Sequence, residues 1–252
     1  MDIVLLTALG VGGATVIGAL LGFLFKNPSH KFNDIVLSFA AGVMLAAAAF
    51  GLIMPSIEGG GPFGVLVAAA GIFAGAAFLN LVDHLVPHLH KMSGAEGEEA
   101  HPAENERLNK VLLFVMAIAI HNLPEGIAAG VGFGMGDMVQ AFTVAGGIAL
   151  QNIPEGMVII APMIAAGMSR RRTFFIALAT GVVEVVGTFI GYFASGISVI
   201  LPFALAFAGG TMLYVISDEM IPETHAHGNE RGATYALLAG FVLMLGFDVL
   251  LG

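Results

Sequence analysis

Long, unbroken apolar runs alternate along this chain with short polar breaks. Eight runs can be drawn, at about 3–25, 35–57, 62–88, 109–133, 138–167, 173–195, 198–220 and 233–251. Each nears or exceeds the roughly 20 residues that a helix needs to cross a bilayer. The breaks are built from glycine, proline, asparagine and charge, as in Lys26-Asn27-Pro28-Ser29, Gly59-Gly60-Gly61-Pro62, Gly134-Met135-Gly136-Asp137 and Arg170-Arg171-Arg172. The runs are continuously apolar and lack the residue-by-residue alternation of barrel strands. The pattern predicts an all-α membrane protein, an eight-transmembrane-helix bundle forming one domain over residues 1–252. The first run begins after Asp2, has no basic start and reaches about Phe25, so it reads as a retained span and not as a signal peptide.

Composition agrees. Of 252 residues, 58% are hydrophobic and only 11% charged, with mean hydropathy +0.93, whereas a soluble domain carries about 25% charged residues. There are 35 glycines, which suits close helix packing through small residues. Cysteine is absent, which excludes disulfides and thiolate metal sites. The net charge of −9 and the lack of a basic run give no sign of a nucleic-acid partner.

Charge placement adds an orientation. With eight spans, all nine Lys and Arg residues fall in the connections after spans 1, 3, 5 and 7. The positive-inside rule makes that side cytoplasmic, so both termini are expected outside. The connection at 91–109, with five Glu, reads as a flexible cytoplasmic loop. In this topology His30, His84, His88, His90, His101, His225 and His227 fall at cytoplasmic ends or loops. Glu58 and Asp248 fall toward the outside as a candidate entrance for cations. Asp34, Asp83, His88, His90, Asp218 and Glu219 fall toward the inside as a candidate exit.

Two stretches break the apolar pattern from within. His121-Asn122-Leu123-Pro124-Glu125-Gly126 and Gln151-Asn152-Ile153-Pro154-Glu155-Gly156 lie mid-way along spans 4 and 5. A carboxylate at that depth costs about 2.5–3.5 kcal/mol or more, and no Lys or Arg lies inside any span to pair with it. Proline removes a helix hydrogen bond and crowds the carbonyl four residues back, here Ile120 and Leu150, so spans 4 and 5 are expected to be Pro-broken. Antiparallel spans bring the two stretches to similar depth, and paired interruptions of this kind point to a midplane binding site. His121 and Glu125 are four apart and share a helix face. Glu184 lies at comparable depth in span 6. Imidazole, carboxylate and amide oxygen without thiolate suit zinc, cadmium, iron or manganese ions. Met44 reads as packing.

These two motifs, at this spacing and in an eight-span chain, resemble the ZIP (Zrt-, Irt-like protein) family of divalent-metal transporters, and their HNLPEG and QNIPEG forms resemble its bacterial GufA-type branch. The resemblance implies a transport site of His121, Asn122, Glu125, Gln151, Asn152, Glu155 and Glu184, where many family members carry His in place of Gln151. It implies zinc as the foremost substrate, import into the cytoplasm across a bacterial inner membrane, and a homodimer. It also implies elevator-type movement of spans 1, 4, 5 and 6 against spans 2, 3, 7 and 8. The metal is cargo, and no cofactor is expected. The alternatives are a membrane metalloenzyme and a metal sensor that does not transport. The chain lacks the His-Glu-x-x-His pattern of a zinc protease.

Overall fold

The computed structural model describes residues 2–25, 28–92, 116 and 119–251, without the side chains at 83, 85–92, 135 and 251. Every regular element among the described residues is helical. In chain order these are α1 (Asp2–Gly22), α2 (His30–Gly59), α3 (Gly64–Met92, entered through a 3₁₀ turn at Gly61–Phe63), α4 (119–132), α5 (Met138–Ala165), α6 (Arg170–Ser195), α7 (Leu201–Thr224) and α8 (Glu230–Leu251). Seven of them, all but α4, are long and apolar enough to cross a membrane. The stretch before α4, most of the 91–109 connection and His101 lie outside the described residues.

The polar breaks work as helix caps. Ser29 accepts a hydrogen bond from the Phe32 amide, Asp137 from the amides of Val139 and Gln140, and Ser169 from the Arg172 amide. Each satisfies a donor that a helix start leaves free. Because of these caps, helices overrun the apolar runs. Helix α2 begins at His30 and not near 35, α6 at Arg170 and not near 173, and α8 at Glu230 and not near 233. Hydropathy ends a span where charge begins, but a long basic side chain can reach water from a helix that continues.

The prolines act differently from expectation. Helix α4 is helical through Pro124, and α5 carries Pro154 inside its first segment and yields only at Ile159. The π turns lie in two other proline-bearing helices, α2 and α7. Residues Ala47–Ile53 of α2 and Ile216–Met220 of α7 are wound as π-helix. Each ends two residues before a proline, Pro55 and Pro222. A widened turn accommodates a proline ring that would otherwise press on the carbonyl four residues back.

Helix packing divides the bundle into two sets. Helices α1, α4, α5 and α6 meet backbone to backbone at glycines: Gly12 lies on Gly181, Gly18 on Ile153, and Gly130 on Thr188. Helices α2, α3, α7 and α8 do the same, with Gly42 on Leu237, Gly75 on Phe207 and Gly240 on Phe39. The main core lies between the sets. Ala40, Ala41, Met44, Ala47 and Ala48 of α2 cluster there with Ala128, Ala129 and Val131 of α4 and Val144, Ala145 and Ile148 of α5.

One end of the bundle gathers basic residues. The ring of Phe25, after α1, packs at a tilt against that of Phe32 of α2, with centroids 5.2 Å apart, and it shares a crevice with Arg170. The turn before α8 is tied to α2 by His227, which stacks on His30 and bonds Asp34. Lys31, Arg170 and Arg231 therefore lie toward the same end.

Candidate metal site

The site grows from the last residue of each motif. A methyl group at Gly126 would overlap the carbonyl oxygen of Glu184, and one at Gly156 would overlap that of Thr15. Glycine at these two positions lets α6 press on the first motif and α1 on the second. As a result Asn122, Glu125, Gln151, Asn152, Glu155 and Glu184 are all buried, with Glu184 at 0% exposure and Glu125 at 1%. A polar group in such surroundings must find a partner or a ligand.

Some do. Thr15 donates from Oγ1 to Oε1 of Glu184 at 2.6 Å, and Asn122 donates from Nδ2 to the same oxygen. Asn152 donates from Nδ2 to Oε2 of Glu184 at 2.7 Å and to the carbonyl of Val11 at 3.3 Å. Gln151 donates from Nε2 to Oε1 of Glu125 at 2.7 Å. Others do not. Asn122 Oδ1, Glu125 Oε2, Gln151 Oε1, Asn152 Oδ1 and Glu155 Oε1 are buried with no hydrogen-bond partner. These five unpartnered acceptors all belong to the two motifs. Among the described residues no donor reaches them, which is the condition a cation relieves.

Glu125, Glu155 and His121 line a cavity of about 420 Å³. Across it stand Leu37 and Met44 of α2 and Val215, Asp218, Glu219, Met220, Pro222 and Glu223 of α7. The cavity therefore lies between the two helix sets and runs toward the basic end. The π turn of α7 carries Asp218 and Glu219 to its wall. His121 Nε2 and Glu219 Oε1 are 2.6 Å apart, a contact that crosses from one set to the other. Among the described residues, no three His, Asp or Glu side chains stand close enough to cage an ion on their own, so amide oxygens would have to complete any such site.

The remaining candidates are scattered. Asp218 and Glu219, expected near an exit, line the cavity. Asp34 does not. It is buried and accepts from His227 Nδ1 and Asn229 Nδ2, both at 2.9 Å, tying α2 to the turn before α8. Glu58 is exposed and Asp248 half-buried at the far end, and neither lines this cavity. The side chains of Asp83, His88 and His90 lie outside the described residues. Two participants escaped the sequence reading. Thr15 and the Val11 carbonyl sit in an apolar run with nothing to mark them beyond the isolated hydroxyl. Met44, read as packing, is packed in the main core at 1% exposure and also borders the cavity.

The chain is similar to known proteins over nearly its whole length. A family model described as ZIP Zinc transporter matches residues 92–250. Zinc transporter GufA of Myxococcus xanthus is 42% identical over 255 residues, covering 98% of each chain. Zinc transporter ZIPB of Bordetella bronchiseptica is 39% identical, over 95% of this chain and 78% of the relative. Human zinc transporter ZIP11 is 33% identical, over 95% of this chain and 94% of the relative.

Proposed function

The chain belongs to the ZIP zinc transporter family, and from that premise we propose that it carries divalent transition-metal ions, zinc foremost, across the membrane into the cytoplasm. It is a transporter and not an enzyme, and the ion is its cargo. The observation that carries the proposal is the set of five buried, unpartnered oxygens on the paired motifs. Two come from carboxylates and three from amides, next to the His121 imidazole. Such a set suits zinc and also cadmium, iron and manganese ions. In this reading the ion is held at the midplane on α4, α5 and α6, and Glu125 and Glu155 supply the charge that replaces its hydration.

The same reading has eight spans, both termini outside, a cytoplasmic loop at 91–109 and a homodimer in a bacterial inner membrane. The gathering of Lys31, Arg170 and Arg231 at one end supports the orientation. The cavity running toward that end supports a route inward. Glu58 and Asp248 are the candidate entrance, and Asp218, Glu219, Asp83, His88 and His90 the candidate exit. The division of the bundle into α1, α4, α5, α6 and α2, α3, α7, α8 supports an elevator in which the first set carries the ion past the second.

The test is uptake by proteoliposomes across a panel of divalent ions, with and without an imposed pH gradient. Zinc accumulation inside is the expected result. Binding without uptake would favour the sensor, and turnover of a membrane substrate would favour the metalloenzyme. Cysteines introduced near Asp2 and Arg171 are expected to label from opposite faces; labelling from one face would overturn the topology.

A further inference from the structure

A second crevice, of about 210 Å³, lies at the basic end of the bundle and shares no lining residue with the metal-site cavity. Its walls are Phe23 and Phe25 from the stretch after α1, Ile160, Ala161 and Ile164 of α5, and Arg170 at the start of α6. Phe23, Ile160 and Ile164 also pack in the cluster of Ala19, Ile159, Met163 and Ala177, so the floor is hydrocarbon. The charge on its rim comes from Arg170, which opens a run of three arginines. All three are exposed, and among the described residues none pairs with a carboxylate. The Arg171 guanidinium lies over the ring of Phe175, 5.9 Å from its centroid. That ring is 53% exposed on a helix long and apolar enough to cross a membrane. A cation over an exposed ring marks the level where hydrocarbon gives way to water. The positive end of the α6 dipole adds to the same charge.

We propose that this crevice binds an anionic phospholipid from the adjoining leaflet. Arg170 and its two neighbours hold the headgroup phosphate, which guanidinium matches in shape and charge. An acyl chain lies along Phe23, Ile160 and Ile164. Unpaired positive charge at the mouth of an apolar slot between membrane helices complements a molecule with an anionic head and a hydrocarbon tail. A free phosphate ion would use the arginines and leave the slot unfilled, and a zwitterionic lipid would fill the slot but bring a positive group to the arginines. The proposal needs only a membrane around the chain and stands apart from the transport reading. Every wall comes from the first helix set or the stretch leaving α1, so the lipid is held by helices that pack with the two motifs.

Native mass spectrometry of the full chain, titrated with phosphatidylglycerol or with phosphatidylcholine of the same acyl chains, tests this. The wild type is expected to retain phosphatidylglycerol in preference. Arg170→Gln is expected to weaken phosphatidylglycerol binding about fivefold, the weight of one basic residue near an anionic surface, and to leave phosphatidylcholine unchanged. Replacing Arg170, Arg171 and Arg172 together by Gln is expected to abolish the preference. Ala161→Phe fills the slot with the arginines intact and is expected to weaken both lipids. Arg231→Gln removes a charge at the same end of the bundle but outside the crevice, and is expected to change nothing. Equal retention of the two lipids by the wild type would overturn the proposal. So would an Arg231→Gln loss as large as that of Arg170→Gln, which would mean diffuse attraction to the whole basic end. Displacement of the lipid by inorganic phosphate at equal concentration would show a site for a free anion instead. Should Ala161→Phe fail to fold, the arginine variants still decide, since their side chains are exposed.

Discussion

Helices α1, α4, α5 and α6 are knitted by backbone contacts, and so are α2, α3, α7 and α8, but the two sets meet through side chains. Among the described residues, each glycine whose added methyl would strike the backbone of another helix has that neighbour within its own set. The glycines that face the other set meet side chains and not backbone. Gly51 of α2 faces the Val144 side chain of α5, and Gly147 of α5 faces the Met244 side chain of α8. Backbone carbonyls wedged into glycine notches fix register, because any slide drives an oxygen into a Cα. A face of alanine, valine and methionine side chains resists sliding far less. The polar chemistry divides the same way. The set bearing α4, α5 and α6 holds five buried carboxylate and amide oxygens without partners, whereas the set bearing α2 and α8 holds a buried carboxylate, Asp34, with both oxygens hydrogen-bonded and, among the described residues, only the Ser38 hydroxyl without a partner. In the proposed reading, the first set holds the cation and the second stays put.

The sharpest way to break this comparison is to remove the free carboxylates. Glu125→Ala or Glu155→Ala is expected to reduce zinc uptake to near background while the protein remains monodisperse. In a low-dielectric site the protein's own charges replace ion hydration. Wild-type uptake by either variant would remove it from the ion-holding set. The next largest effect concerns the glycine notches. Gly126→Ala and Gly156→Ala each force a methyl into a backbone carbonyl of the same set. They are expected to lower the Tm strongly, since overpacking costs about 1–3 kcal/mol or more when backbone must move. Gly147→Ala meets only the end of Met244 and is expected to leave the Tm nearly unchanged. Equal losses in all three would mean that the two kinds of seam do not differ.

The sequence made the two motifs, the eight runs and the depth of Glu184 legible because each rests on a local rule: hydropathy, proline, or a charge where none should be. It did not make the seam legible. Gly126 and Gly147 look alike in sequence, and only the fold decides that one faces a carbonyl and the other a thioether. The π turns before Pro55 and Pro222 were missed for a related reason. Proline signals that a helix must yield, but neighbouring helices decide whether it yields at the ring or a turn earlier. Thr15 was invisible because a hydroxyl in an apolar helix ordinarily bonds its own backbone, as Thr188 and Thr211 do here.

A smaller effect is expected at the contact that bridges the sets. His121 and Glu219 stand 2.6 Å apart across the seam. Loss of a hydrogen bond to a charged group removes about 1.5–3 kcal/mol from the arrangement in which the cavity lies open between α5 and α7. Glu219→Ala is therefore expected to reduce labelling of a cysteine placed at Val158, on the cavity wall, by a membrane-impermeant reagent from the cytoplasmic side. Unchanged labelling would show that the contact does not hold the cavity open.

The smallest effect on uptake is expected where the second set is most rigid. Asp34 was a candidate for the exit path because a carboxylate near the inner end of a span can receive a cation. The structure gives both of its oxygens other work: Oδ1 accepts from His227 and Oδ2 from Asn229, and the residue is 3% exposed. These bonds join α2 to the turn leading into α8 within one set, where no movement is required. Asparagine at position 34 keeps one acceptor oxygen for Asn229 and offers an NH₂ group to His227, so the second bond survives only if the imidazole gives up its Nδ1 proton, and both bonds lose the charge of the carboxylate. That costs about 1–3 kcal/mol of stability. Asp34→Asn is therefore expected to lower the Tm of the purified protein while the KM for zinc uptake stays at the wild-type value. A raised KM with an unchanged Tm would return Asp34 to the ion path and make the second set a partner in conduction.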